Sequence, residues 1–229
     1  RRQRQMCIRD RREAGLLEAY QSPELTDVPE AYQDEQGVWN PIYIGTLCFA
    51  CNTDWFARTG TPMPTCWDDL LSPALAGQIV MATPKSSGTS YTTLATLVQM
   101  RGEDKAWEYL QKLDQNVGLY TRSGVEPAER VKNGEYAVGL TYEDPCVTLI
   151  KDGATNIKVV YPVEGTVFLP AQIGIVKNAK NVENAKAFVD FMLSEEAQRF
   201  LAENTTSRNV REVEYKNDVM TPLADIKLI

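Results

Sequence analysis

One unit recurs three times in the middle of the sequence: a short apolar strand, a polar loop and an amphipathic helix. The strands are predicted at residues 78–82, 116–120 and 136–141, and the helices that follow them run to about Met100, over 127–134 and over 145–153. A further helix is predicted over 104–113 by its apolar spacing. Alternating strands and helices predict βαβ units and a largely parallel sheet covered on both faces. The fold class is therefore expected to be α/β.

The C-terminal third continues this pattern with strands at 157–161 and 168–176. After them, Asn181 is expected to cap one long amphipathic helix. The apolar residues expected on its buried side or near its end are Phe188, Phe191, Met192, Leu193, Phe200 and Leu201.

Composition excludes several classes of protein. The 229 residues are 43% hydrophobic and 24% charged, which suits one large globular domain or two small ones. No apolar run reaches the roughly 20 residues needed to span a bilayer, and the N-terminus lacks the apolar stretch of a secretory signal. The net charge of −7 argues against nucleic acid or an anionic membrane as partner, since both are bound mainly through Lys and Arg.

The first twelve residues differ from the rest. Their six arginines and one aspartate give +5, so the remainder of the chain carries −12. One interpretation is a basic arm for nucleic acid. The interpretation that we favour is that residues 1–12 are extraneous or disordered, because Cys7–Arg11 looks like translated sequencing adapter. Coherent sequence is then expected to begin near Glu13.

Histidine is absent from the sequence. This removes the commonest general base and the commonest metal ligand. Ser-His-Asp and Cys-His catalysis and histidine-containing zinc sites are therefore excluded within these residues. The sequence also lacks a P-loop motif and a nucleophile elbow.

Cys48 and Cys51 form a C-x-x-C pair within an apolar segment that is predicted to be a strand. Residues three apart on a strand point to opposite faces, so the pair is expected to be buried rather than redox-active. A Cys48–Cys51 or a Cys66–Cys146 disulfide remains an alternative in an oxidising compartment.

The loops after the three strands carry the candidate binding residues, because ligands of open parallel sheets bind beyond the carboxyl ends of the strands. Ser86, Ser87, Gly88 and Thr89 precede a helix, where free backbone N–H groups and the helix dipole favour an anion, and Lys85 adds charge. The alternative is an ordinary helix N-cap, since serine and threonine are preferred there.

The other two loops offer different contacts. Arg122, Ser123 and Gly124 repeat the chemistry of the first loop, although Arg122 also fits a solvated surface charge. Tyr142 and Glu143 offer oxygen ligands to a hard metal ion, an amine or a sugar hydroxyl. Asp144 is expected to cap the helix that Pro145 opens.

The order of these segments resembles the ferric-iron and phospho-organic group of periplasmic binding proteins. The segments that carry the resemblance are Trp39–Pro41, Lys85–Leu94, Thr121–Gly124, Gly139–Asp144, Tyr161–Thr166 and Val176–Asn181, the last running into Ala185–Phe191. The resemblance covers nearly all of the chain from Glu13 to Ile229.

The resemblance implies a two-lobed type II fold of the Venus-flytrap kind, with ligand closed between the lobes. Residues 46–159 are expected to form a whole lobe II. Residues 13–45 and 160–229 are expected to form part of lobe I, whose opening elements would lie upstream of Glu13 and whose final helix would lie beyond Ile229.

The resemblance also implies a function: the substrate-binding component of a bacterial ABC importer, not an enzyme. It would be a monomer in the periplasm or at the cell surface, with an ABC permease and its ATPase as partners, and would reach the membrane only through a lipid anchor. The residues expected to bind ligand are Ser86, Ser87, Gly88, Thr89, Arg122, Ser123, Gly124, Tyr142 and Glu143.

The expected ligand is a small anion, either a phosphonate or a phosphorylated organic compound. Ferric members of the group place paired tyrosines near the third loop and take a histidine or carboxylate from lobe I. Here Glu143 follows Tyr142 and histidine is absent. Ferric iron carried with an anion remains the alternative, with Tyr142 and Glu143 as its ligands. No resident cofactor is expected.

Two functions of other classes stay open at this point. One is a cytoplasmic ligand-sensing domain of a transcription regulator, and the other is an α/β enzyme with catalytic groups outside these residues. A signal peptide with a lipobox cysteine upstream would indicate the binding protein, and a helix-turn-helix would indicate the regulator.

Overall fold

The computed structural model describes residues 8–213 and 218–229 of the chain, and these form two compact units. The first unit contains residues 8–45 and 169–213, and the second contains 46–168 and 218–229. The expected division into lobe I (13–45 and 160–229) and lobe II (46–159) stays a prediction; in the structure, residues 160–168 and 218–229 belong to the second unit.

Regular elements follow the alternating order that the sequence predicts. The strands are β1 (Leu17–Glu18), β2 (Asn40–Asn52), β3 (Ile79–Ala82), β4 (Val117–Thr121), β5 (Val138–Tyr142), β6 (Ile157–Val160), β7 (Phe168–Ile173) and β8 (Ile175–Val176). The helices are α1 (Ile8–Glu13), α2 (Thr53–Thr59), α3 (Gly88–Arg101), α4 (Glu103–Asp114), α5 (Glu126–Lys132), α6 (Glu143–Lys151), α7 (Val182–Leu193) and α8 (Glu195–Asn204).

A mixed sheet with strand order β4-β3-β5-β2-β6 forms the centre of the second unit. Strand β7, which from Leu169 onward belongs to the first unit, also pairs with β2. Strand β3 runs parallel to both β4 and β5. Strand β2 runs antiparallel to β5 and to β6. The three repeated units therefore form the parallel part of the sheet, as expected, while β2 crosses it in the reverse direction.

Helices cover both faces of this sheet. On one, the α3–α4 face, Phe49 and Cys51 of β2 pack with Leu97 of α3 and Tyr109 of α4. On the other, the α5–α6 face, Cys48 and Ala50 of β2 pack with Val131 of α5 and Cys146 of α6. Alternate residues of β2 thus enter different cores, because successive side chains on a strand point to opposite faces.

This alternation confirms the prediction for the C-x-x-C pair. Cys48 and Cys51 are both buried, at 3% and 0% exposure, and belong to different cores. Their thiols do not meet across a turn, so the pair has no redox geometry.

The first unit is held together by polar contacts as well as by its core. Tyr20 donates its hydroxyl proton to the Asp190 carboxylate of α7 at 2.8 Å, and Ser22 donates to the same group at 2.6 Å. Strands β1 and β8 form a separate two-stranded antiparallel sheet. These contacts fix α7 against the segment around residue 20.

The expectation of one long helix after Asn181 is wrong. Two helices form, because Ser194 has an extended backbone and its side chain accepts the N–H of Ala197 as the N-cap of α8. The expected buried face is also wrong in part: Phe188 and Phe191 are more than half exposed. The buried residues of α7 are Val189 and Leu193.

The expectation for residues 1–12 lies partly outside the described residues. Residues 8–13 form α1, and Arg12 places a guanidinium nitrogen 3.3 Å from the Asp34 carboxylate.

Among the described helices, none combines the length and the apolar character that crossing a membrane requires.

Candidate functional site

The three predicted loops meet at one edge of the sheet of the second unit. Strand β3 lies between β4 and β5 and is parallel to both, so the carboxyl ends of all three strands share this edge. The loop before α3 is therefore flanked by the loop after β4 and by the start of α6. We call this group, residues 85–92, 121–124 and 141–144, the loop cluster.

The first loop is a helix N-terminus with a serine cap. Ser87 is buried, has an extended backbone, and its side chain accepts the N–H of Ser90. The ordinary N-cap interpretation is therefore confirmed for Ser87. It does not exclude anion binding, because α3 has no acidic residue in its first turn and its other terminal N–H groups keep their partial positive charge.

Direct contacts join the second loop to the first. Ser86 donates its hydroxyl proton to the carbonyl oxygen of Arg122 at 3.1 Å. A Cβ at Gly124 would lie 2.2 Å from Oγ1 of Thr89 and 2.9 Å from Oγ of Ser87. Only glycine lets these two loops approach so closely.

The second loop does not repeat the helix-start chemistry of the first. Helix α5 begins at Glu126 after Val125, which supplies no side-chain cap, and its first turn contains Glu126 and Glu129. These carboxylates oppose an anion at that helix end. The exposed polar side chains of this loop are those of Arg122 and Ser123.

The third loop is already helical. Helix α6 begins at Glu143, and the position before it is Tyr142, which makes no side-chain cap. Asp144 lies within the first turn, so the expectation that it caps the helix is wrong. The side chain of Thr141, the residue before Tyr142, donates to the carbonyl oxygen of Gly124 at 2.7 Å, which ties this loop to the second.

Two adjacent carboxyl groups in this loop have different surroundings. Glu143 is 1% exposed and accepts a hydrogen bond from the hydroxyl of Tyr161. Burial, with a smaller contribution from the charge of Glu143, raises the pKa of Asp144 to about 6. A buried carboxylate requires hydrogen-bond donors, and Tyr161 supplies one to Glu143.

Sequence reasoning missed two residues that contact the candidate binding residues, Thr92 within the loop cluster and Tyr161 beside it. Tyr161 directly follows β6, and Thr92 accepts the hydroxyl proton of Tyr142 at 3.3 Å from one turn inside α3. The position of Tyr161 at the end of the predicted strand 157–161 was a usable signal. The signal for Thr92 was weaker, because Thr92 lies on the same side of the chain as Gly88 and Thr89 only when these residues form a helix.

The cluster contains both hydrogen-bond donors and acceptors. The N-terminus of α3, with Thr89 in its first turn, carries donors, whereas Asp144 is a partly exposed carboxyl group and Glu143 is a buried one. Across the described ranges, no group of three His, Cys, Asp or Glu side chains is arranged to hold a metal ion.

Comparison with known proteins assigns the chain to a family. Residues 3–223 match the sequence model of the bacterial extracellular solute-binding proteins. The chain belongs to this family. Its members bind solutes and are not enzymes, and the two-lobed type II periplasmic-binding fold expected from the resemblance is confirmed.

Individual relatives agree with this assignment. The periplasmic binding protein AfuA from Actinobacillus pleuropneumoniae, solved with fructose-6-phosphate bound, is 38% identical with a TM-score of 0.89, over 96% of this chain and 70% of that one. An uncharacterized protein of Haemophilus influenzae is 38% identical over 81% of this chain and 55% of its own length.

A putative 2-aminoethylphosphonate-binding periplasmic protein of Salmonella typhi is 26% identical over 81% of this chain and 56% of its own length. The chain therefore spans a little over half the length of these two curated relatives.

Proposed function

We propose that this protein is the substrate-binding component of a bacterial ABC importer and that the loop cluster binds the phosphoryl or phosphonyl group of a small organic ligand. Its partners would be the permease and ATPase of that importer, in the periplasm or at the cell surface. The observation that carries the proposal is the α3 N-terminus, free of acidic residues and joined by direct contacts to the loop of Arg122 and Gly124.

The chemistry of the cluster favours an organic phosphate over inorganic phosphate. An anion at the α3 start would be held by backbone N–H groups, the Thr89 hydroxyl and the charge of Arg122. The carboxyl groups of Glu143 and Asp144 would repel a second anion, and Asp144, which is partly exposed, would accept hydrogen bonds from hydroxyl or amino groups. A ligand with a phosphate at one end and hydroxyl or amino groups at the other satisfies both parts.

Two similar proteins support this ligand class. AfuA is solved with fructose-6-phosphate, and the Salmonella relative is named for 2-aminoethylphosphonate. Both names describe a phosphorus-containing acid group on a small polar molecule.

The test is calorimetric titration of the protein expressed from its complete gene. Fructose-6-phosphate and 2-aminoethylphosphonate represent the proposed class, while fructose, inorganic phosphate and ferric citrate serve as comparisons. We expect at least one phospho-organic compound to bind, with affinity that falls as salt is added. Binding of ferric citrate alone, or no binding by any phospho-organic ligand, contradicts the proposal.

A matched pair of variants locates the site. Arg122→Gln removes an exposed cation of the loop cluster, and we expect affinity to fall about 10- to 100-fold because a charge-assisted hydrogen bond is lost. Arg58→Gln makes the same charge change in the last turn of α2. Helix α2 follows β2, which runs antiparallel to β5, so α2 lies at the opposite edge of the sheet from the loop cluster. Loss of the Arg58 charge should therefore leave the affinity for ligand unchanged.

A further inference from the structure

Two cysteines of the second unit share one core, and they are not a pair that the sequence suggested. Cys48 of β2 and Cys146 of α6 both belong to the α5–α6 face. Both are almost fully buried, at 3% and 0% exposure. Cys51 lies in the core of the other face, and Cys66 adjoins Trp67, which packs there too.

Strand register and the start of α6 place these two residues in the same core, where both are free thiols in the structure. Cys48 is paired with Thr141 across the β2–β5 ladder. Cys146 lies four residues after Tyr142, and its sulfur is 3.8 Å from the Tyr142 carbonyl oxygen. The residue on α6 thus sits one helical turn beyond the end of β5, above the part of β2 that contains Cys48. Burial, and then a hydrogen bond to Cys146, raise the pKa of Cys48 well above its ordinary value.

We propose that Cys48 and Cys146 form a disulfide bond when the protein folds in an oxidising compartment. The family to which the chain belongs is extracellular by description, and disulfides persist in such compartments. The bond would join β2 to the first turns of α6, behind the carboxyl groups of the loop cluster. It would also close a covalent loop from residue 48 to residue 146.

The oxidation proceeds by thiol–disulfide exchange. The thiolate of one cysteine attacks the disulfide bond of an oxidant, either an oxidised thioredoxin-like protein or glutathione disulfide. A mixed disulfide forms, and one sulfur of the oxidant is released as a thiolate. The second cysteine then displaces the reduced oxidant. Two protons and two electrons leave the cysteine pair, and the oxidant gains them as two thiols.

Burial sets the time at which this exchange can occur. In the folded protein both sulfurs are inaccessible, and the raised pKa of Cys48 leaves little thiolate to react. Oxidation therefore takes place during folding, and reduction of the finished bond requires unfolding. The redox state should be set once and then persist.

The test compares the same gene product folded under two conditions. One sample is exported to the periplasm or refolded with glutathione disulfide, and the other is folded in a reducing cytoplasm. Intact-mass analysis after alkylation in denaturant, followed by peptide mapping, should show a Cys48–Cys146 linked peptide only in the oxidised sample. The oxidised protein should melt about 5–10 °C higher, and a reductant should reverse this only after unfolding.

Controls separate this pair from the other cysteines. In a Cys7→Ser, Cys66→Ser background, Cys51→Ser should keep the linked peptide and Cys146→Ser should lose it. Linkage of Cys48 to Cys51, or free alkylation of Cys48 and Cys146 in the exported protein, overturns the proposal. These experiments measure the cysteine linkage and not ligand binding. A negative result would therefore overturn the disulfide and leave the proposed function unaffected.

Discussion

At the scale of single residues, the loop cluster depends on side chains whose roles are set by close neighbours. Gly124 is required because Thr89 and Ser87 occupy the space that a Cβ would need. Glu143 is tolerated as a buried acid because Tyr161 donates a hydrogen bond to it. The sequence identified Gly124 and Glu143 as candidates but did not show these neighbours, which come from distant segments.

Asp144 gives a pH-dependent prediction. Its pKa is raised by burial from 3.8 to about 6, so the folded state binds a proton more tightly than the unfolded state between these values. Stability therefore falls as pH rises from about 4 to 6 and stays lower above that range. We expect Asp144→Asn to stabilise the protein by about 1–2 kcal/mol at pH 7.5 and to have little effect near pH 4.

Urea denaturation of wild type and Asp144→Asn at several pH values measures this difference directly. Glu135→Gln is the control, because Glu135 is exposed and its pKa is lowered by Arg130, so its removal should not stabilise the protein at pH 7.5. An Asp144→Asn effect that does not change between pH 4 and 7.5 would show that the carboxyl group titrates normally.

At the scale of elements, helix boundaries depart from the sequence prediction where a cap or a strand end intervenes. Helix α6 starts at Glu143, directly after β5 and two residues before Pro145, which was expected to open it. Helix α7 stops at Leu193 because Ser194 caps α8. Serine followed by two acidic residues is a helix-start pattern, so this break was readable from Ser194–Glu196.

The corrected phase of α7 predicts which substitutions destabilise the chain. Leu193 is fully buried and Phe191 is 53% exposed. We expect Leu193→Ala to lower the free energy of unfolding by about 2–4 kcal/mol, because it leaves a cavity. Phe191→Ala should change it by less than about 1 kcal/mol.

Both α7 values come from urea denaturation of the 229-residue chain. If Phe191→Ala destabilised the chain more than Leu193→Ala, the aromatic side chains would form the buried side of α7.

At the scale of the whole molecule, the chain contains two units of different construction. The second has the sheet β4-β3-β5-β2-β6 between two layers of helices, whereas β1 and β8 of the first unit pair through only two residues each. Short two-stranded sheets are marginal alone. The most stable backbone hydrogen bonds should therefore lie in the second unit.

Native-state hydrogen exchange tests this difference. The amides of Val80 and Leu140, in the middle of the large sheet, should exchange only through global unfolding. The amide of Lys177, which donates to Leu16 next to the small sheet, should exchange much faster through local opening. Equal protection at both places would mean that the chain opens as one cooperative unit.

The sequence by itself determined the α/β class, the three strand–loop–helix units, the burial of Cys48 and Cys51 on opposite faces, and the three loops of the candidate site. These follow from periodicity and from local preferences at helix starts, which act over a few residues. Tertiary structure decided the reversed direction of β2, the bond from Tyr161 to Glu143 and the shared core of Cys48 and Cys146. Each of these joins segments far apart in the chain, where strand register and packing, rather than local pattern, fix which side chains meet.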